Sequence, residues 1–68
     1  MNEDALNMSI RRFLKKVGIT SQREIENAAR TMAEDGRLPS GSVPVTVTLR
    51  CDALGVEHGV DGEIELKE

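Results

Sequence analysis

Residues 38–51 read Leu38-Pro39-Ser40-Gly41-Ser42-Val43-Pro44-Val45-Thr46-Val47-Thr48-Leu49-Arg50-Cys51, and within this stretch the hydrophobic period changes. Before it, apolar residues return every three or four positions, the spacing of one face of a helix. From Val43 onward they alternate, the spacing of a strand with one face turned inward. Pro39-Ser40-Gly41-Ser42 is the only linker-like segment, too short to separate a pair of domains. The switch predicts a single α+β domain over residues 1–68, in ααββ order. Two N-terminal amphipathic helices would pack on one face of a C-terminal antiparallel β-hairpin.

Working back from Leu38, the first helix is expected from about residue 3 to 17. Asn2 suits the N-cap, and Glu3 and Asp4 place negative charge in the first turn, where the helix dipole favours it. Leu6, Ile10, Phe13, Leu14 and Val17 form one stripe, and Arg11, Arg12, Lys15 and Lys16 lie on the opposite side. Gly18 reads as a left-handed stop. The second helix is expected from about 21 to 35, opened by the capping box Ser21 and Glu24, with Thr20 as an alternative cap one residue earlier. Its stripe is Ile25, Ala28, Ala29 and Met32, the alanines allowing close approach to the larger side chains of the first helix. Glu26, Arg30 and Glu34 form a charge ladder on a solvated flank. Asp35-Gly36 ends the helix.

Working forward, strands are expected at about 43–51 and 56–66. Val43, Val45, Val47, Leu49 and Cys51 share one face; Val56, His58, Val60, Ile64 and Leu66 share the matching face. Opposed residues point the same way, so paired numbers must have an odd sum. A sum of about 107 sets Arg50 opposite Glu57 around Asp52-Ala53-Leu54-Gly55, with Asp and Gly where a type I turn favours them. A sum of about 109 sets Cys51 opposite His58 around Leu54-Gly55. The three-residue loop between them turns one face inside out and is rejected.

At 68 residues the chain buries a modest share of its surface, and small domains lean on disulfides, metals or oligomerisation. Cys51 is the single cysteine and His58 the single histidine, so neither an internal disulfide nor a protein-built zinc site is expected. Oligomerisation is left, and a second copy could extend the two-stranded sheet. Phe13 is the sole aromatic. The net charge of −3 disfavours general nucleic-acid binding, and its distribution is uneven. Residues 1–20 carry Arg11, Arg12, Lys15 and Lys16 against Glu3 and Asp4, while the acidic excess gathers after residue 38. The start of the chain lacks the basic and apolar run of a signal peptide, and no apolar run has membrane-spanning length. The expected compartment is the cytoplasm.

No motif carries chemistry. Cys51 and His58 share a hairpin face, but no nucleophile signature surrounds the cysteine and no third polar group orients the imidazole. They read as a small hydrophobe and a half-buried ring, and no catalytic residue or cofactor is expected. Asp61, Glu63 and Glu65 read as a solvated row rather than a metal site. Gly55, Gly59 and Gly62 precede no helix and make no phosphate loop. The segment Phe13 to Ile25 has the outline of a helix-turn-helix, but its glycine sits one residue too far from Ile25 and its second helix is acidic. The candidate binding residues are therefore Arg11, Arg12, Lys15 and Lys16. Four charges without interleaved aromatics suit an acidic protein surface at least as well as phosphates.

The opening Met-Asn-Glu-Asp-Ala-Leu-Asn-Met-Ser-Ile-Arg-Arg-Phe-Leu-Lys-Lys-Val-Gly-Ile-Thr-Ser-Gln-Arg-Glu-Ile-Glu, residues 1–26, and the closing Gly62-Glu63-Ile64-Glu65-Leu66 resemble a group of small proteobacterial proteins classed as a domain of unknown function. The resemblance implies a stand-alone bacterial cytoplasmic protein and transfers no functional residue. The expected function is a non-enzymatic, self-associating protein-interaction module without membrane attachment. The alternative is a nucleic-acid-binding accessory protein using the basic helix face or a degenerate helix-turn-helix.

Overall fold

A computed structural model of the chain describes residues 1–66. It divides into two units between Leu38 and Pro39. The first holds one helix, α1, over Glu3–Glu34; the second holds strands β1, Ser42–Cys51, and β2, Val56–Glu65. The α+β class and the hairpin agree with the sequence reading. The two-helix expectation does not: residues 3–17 and 21–35 belong to a single element of 32 residues, about 48 Å long at 1.5 Å per residue.

The ends of α1 follow from local chemistry. Asn2 holds an extended backbone, and its side-chain Oδ1 accepts the Ala5 N–H at 3.0 Å, with Glu3 and Asp4 in the first turn. At the other end Gly36 takes φ 70°. Its N–H donates to the Ala33 carbonyl at 3.1 Å, and the Arg37 N–H donates to the Met32 carbonyl at 2.8 Å. This pair of bonds is a Schellman closure, and it satisfies carbonyls the last turn leaves unpaired. Pro39 follows three residues later and cannot extend a helix.

Gly18 has neither support. It is absent from the glycines with positive φ, which are Gly36, Gly41 and Gly55, and its backbone stays helical. A glycine inside a helix costs about 0.5–1 kcal/mol relative to alanine. Ending the helix there would strand up to four carbonyls and four amides, a larger loss. The alternative cap, Thr20, is engaged backwards instead, its hydroxyl donating to the Lys16 carbonyl at 2.8 Å. Ser21 and Glu24 therefore sit mid-helix and make no capping box. Ala28 and Ala29, on the same rod as Ile10 and Phe13, cannot fold back on them within one chain.

A Cβ at Gly18 meets nothing within 4 Å. Gly18→Ala is expected to stabilise the helix by about 0.5–1 kcal/mol, read as a higher midpoint in a circular-dichroism melt. Had Gly18 been a left-handed stop, the same change would destabilise by about 1 kcal/mol or more.

The hairpin takes the register that sets Arg50 opposite Glu57, with Ser42 opposite Glu65 and Cys51 opposite Val56. The competing register, pairing Cys51 with His58, is not adopted; His58 faces Leu49. The turn explains the choice. Asp52–Leu54 form one 3-10 turn, and Gly55 closes it at φ 66°, donating its N–H to the Asp52 carbonyl at 3.1 Å. A two-residue turn at Leu54-Gly55 would require positive φ at Leu54, where an L side chain is penalised. Past the end of β2, the Leu66 N–H still donates to the Gly41 carbonyl at 2.7 Å.

Candidate interaction surface

Three surfaces can be built from these elements, and the first is the apolar stripe of α1. At about 100° per residue, Leu6, Ile10, Phe13, Leu14, Val17, Ser21, Ile25, Ala28 and Met32 fall within an arc of about 120°. From Ile10 onward the steps to Leu14, Val17, Ser21, Ile25, Ala28 and Met32 run 4, 3, 4, 4, 3, 4. That is an eleven-residue repeat, close to the natural period of an α-helix, so the stripe runs almost straight along the rod. Among the described residues none is buried. Phe13 is 53 % exposed, Leu14 49 % and Ile10 45 %, while Leu6, Val17, Ser21 and Met32 are half-buried.

The second surface is the basic cluster. Arg11, Arg12, Lys15 and Lys16 are all exposed and span the side of α1 away from the stripe, as expected. Among the described residues the ion pairs are Arg37–Asp35 at 3.1 Å and Arg50–Glu57 at 3.6 Å, and neither engages the cluster. Nor does either fall in the expected ladder of Glu26, Arg30 and Glu34; the Arg30 guanidinium donates to the Asn27 side-chain oxygen at 3.1 Å. The helix-turn-helix reading fails here, because Phe13 to Ile25 lie on one unbroken helix with no turn to set two axes at an angle.

The hairpin supplies the third surface. Its register places Val43 against Ile64, Val45 against Gly62, Val47 against Val60, Leu49 against His58 and Cys51 against Val56 on one face. Gly62 leaves room over Val45, whose Cγ1 would stand 3.6 Å from a Cβ there. The opposite face carries Ser42, Thr46, Thr48, Arg50 and the acids Glu57, Asp61, Glu63 and Glu65. His58 is exposed and Cys51 is a half-buried free thiol, two residues out of direct opposition along the strands. Among the described residues no group of three or more His, Cys, Asp or Glu is placed to hold a metal ion. No helix of the structure is long and apolar enough to cross a membrane.

The sequence reading found both halves of the stripe and missed their continuity. The signal was present in the phase. Val17, Ser21 and Ile25 are four apart, so the stripe crosses Gly18-Ile19-Thr20 without a jump, whereas two separate helices have no reason to share a phase. No curated protein sequence and no solved structure matches the chain. A family model described as a family of unknown function (DUF6494) matches residues 1–67, and the chain belongs to that family.

Proposed function

We propose that this protein is a non-enzymatic interaction module that self-associates through the apolar stripe of α1. One observation carries this reading: a straight stripe from Leu6 to Met32, holding an exposed Phe13, Leu14 and Ile10, on a helix in which no residue is buried. Most helical stability in water comes from packing of an amphipathic face, and a helix this exposed gains by covering it. The hairpin edges are poorer sites for a second copy. The β1 edge contains Pro44, which has no N–H to offer. Two β2 edges would bring Glu57, Asp61, Glu63 and Glu65 of one copy against the same acids of the other.

Of the basic cluster, Arg11, Arg12 and Lys15 stay outside such a seam and are free to engage an acidic protein surface, while Lys16 borders it. The free thiol of Cys51 fits a reducing compartment, in keeping with a cytoplasmic protein. Sedimentation equilibrium tests self-association. The expected mass is twice the 7.5 kDa of the chain at high micromolar concentration, falling toward 7.5 kDa on dilution. A mass fixed at that of one chain across the range would mean that the stripe is covered in some other way, and would defeat the proposal.

A further inference from the structure

We infer that two copies pair with their α1 helices antiparallel, about a two-fold axis near residue 19, so that the two ends of each stripe cover one another. The inference rests on self-association through α1 and adds its direction and register. Size gives the first argument. The stripe is bulky in its N-terminal half, with Leu6, Ile10, Phe13, Leu14 and Val17, and smaller in its C-terminal half, where Ser21 and Ala28 accompany Ile25 and Met32. A parallel pair sets bulky on bulky at one end and alanine on alanine at the other, so the helices are held apart where they most need contact. An antiparallel pair about residue 19 sets Leu6 against Met32 of the second copy, Ile10 against Ala28, Phe13 against Ile25 and Val17 against Ser21. Each of these four layers combines one larger and one smaller or flexible side chain, and Leu14 falls level with Glu24 at the edge of the seam, where the carboxylate can reach water.

Charge gives the second argument, independent of the first. The half of α1 before Ile19 carries Arg11, Arg12, Lys15 and Lys16 against Glu3 and Asp4, a net charge of +2. The half after it carries Glu24, Glu26 and Glu34 against Arg23 and Arg30, a net charge of −1. Antiparallel pairing joins the unlike halves and opposes the helix dipoles, whereas parallel pairing stacks like on like. Glu24 is the one acid on the edge of the stripe past its midpoint. In the antiparallel pair its nearest charged neighbour on the same flank is Lys16 of the second copy.

Cross-linking in the full chain reads the direction. In a Cys51→Ser background, Leu6→Cys protein is mixed with Met32→Cys protein, equilibrated and oxidised, and the products are separated by mass after tagging one of the two proteins. The mixed Leu6→Cys/Met32→Cys disulfide is expected at least tenfold above either like-with-like product. Predominant like-with-like products from a dimer would overturn the antiparallel direction while leaving self-association intact. A monomeric mass of the unmodified protein would instead remove the reading on which the inference stands.

A second pair of variants removes no stripe residue. Donor dyes on Ser9→Cys and acceptor dyes on Thr31→Cys, both exposed positions on one flank, lie about 10–15 Å apart across an antiparallel seam. In a parallel pair they are separated by about 33 Å of helix rise. Strong transfer between copies is the expected result, and transfer no greater than between two Ser9→Cys chains contradicts the pairing.

Discussion

Val17→Asp is expected to raise the dissociation constant for self-association by at least about 100-fold, with Met8→Asp as a near-neutral partner measurement. Val17 is half-buried at the middle of the stripe, next to the proposed two-fold axis. A carboxylate there must be desolvated in a seam with no cation placed to receive it. An uncompensated charge in such a position costs about 3–5 kcal/mol, and each 1.4 kcal/mol is a tenfold change in affinity. Because every dimer holds two copies of the substitution near one another, the 100-fold figure is a lower bound. Intrinsic helix propensity does not confuse the reading, since valine and aspartate rank close together in a helix interior.

Met8 supplies the contrast. It is 62 % exposed and lies on the far side of α1 from the stripe, beside the basic cluster. Met8→Asp adds the same charge to the same helix but leaves the seam untouched, so its dissociation constant should stay within about twofold, well under 1 kcal/mol. Concentration-dependent sedimentation of the two variants beside the unmodified protein makes the comparison. The helical circular-dichroism signal should fall with Val17→Asp at concentrations where the unmodified protein is paired, because dimerisation and helix stability are linked. Equal effects from the two substitutions would show that general charge, not the stripe, governs association.

How far the fold could be read from the chain depends on which residues are asked. Alternation from Val43 to Cys51 settled the strands, and parity reduced the hairpin to two registers. Gly55 decided between them through turn geometry that a one-dimensional pattern leaves open, because its positive φ closes a 3-10 turn rather than a two-residue loop. Asn2 and Gly36 were legible as helix ends since each terminates α1 by the hydrogen bonds its residue type favours. Gly18 misled because glycine and a following Ser-x-x-Glu are also compatible with a helix interior, at a cost of about 1 kcal/mol. What separates a stop from a tolerated glycine is the neighbourhood: Gly36 has Pro39 behind it, and Gly18 has only Ile19, Thr20 and Ser21. The exposure of Arg11, Arg12, Lys15 and Lys16 follows from the helical phase, which sets four cations on the side away from an apolar stripe. Their ligand is not legible, because the four charges carry no geometry that distinguishes one anion from another.

Gln22→Pro should break α1, destabilising it by about 3 kcal/mol or more. In the unbroken helix the amide of residue 22 donates toward residue 18, and a proline ring at 22 both removes that bond and collides with the carbonyl four residues back. Gln22 is exposed, so the effect owes nothing to lost packing of its side chain. The alternative architecture makes the opposite prediction. Were Ser21 the N-cap of a second helix, residue 22 would occupy the first helical position, where proline is favoured and the melt would hold or improve. With the break, each remaining piece approaches the length of about 12–15 residues at which an isolated helix is marginal in water. The far-UV helical signal should then drop on the order of one half. Self-association should fall with it, because a kink at 22 rotates Ile25, Ala28 and Met32 out of line with Leu6, Ile10 and Val17. Gln22→Ala, which preserves the amide, should leave both properties unchanged or slightly strengthened. A Gln22→Pro protein that keeps its helical signal would restore the turn at Gly18 and, with it, a pairing of the two stripe halves within one chain.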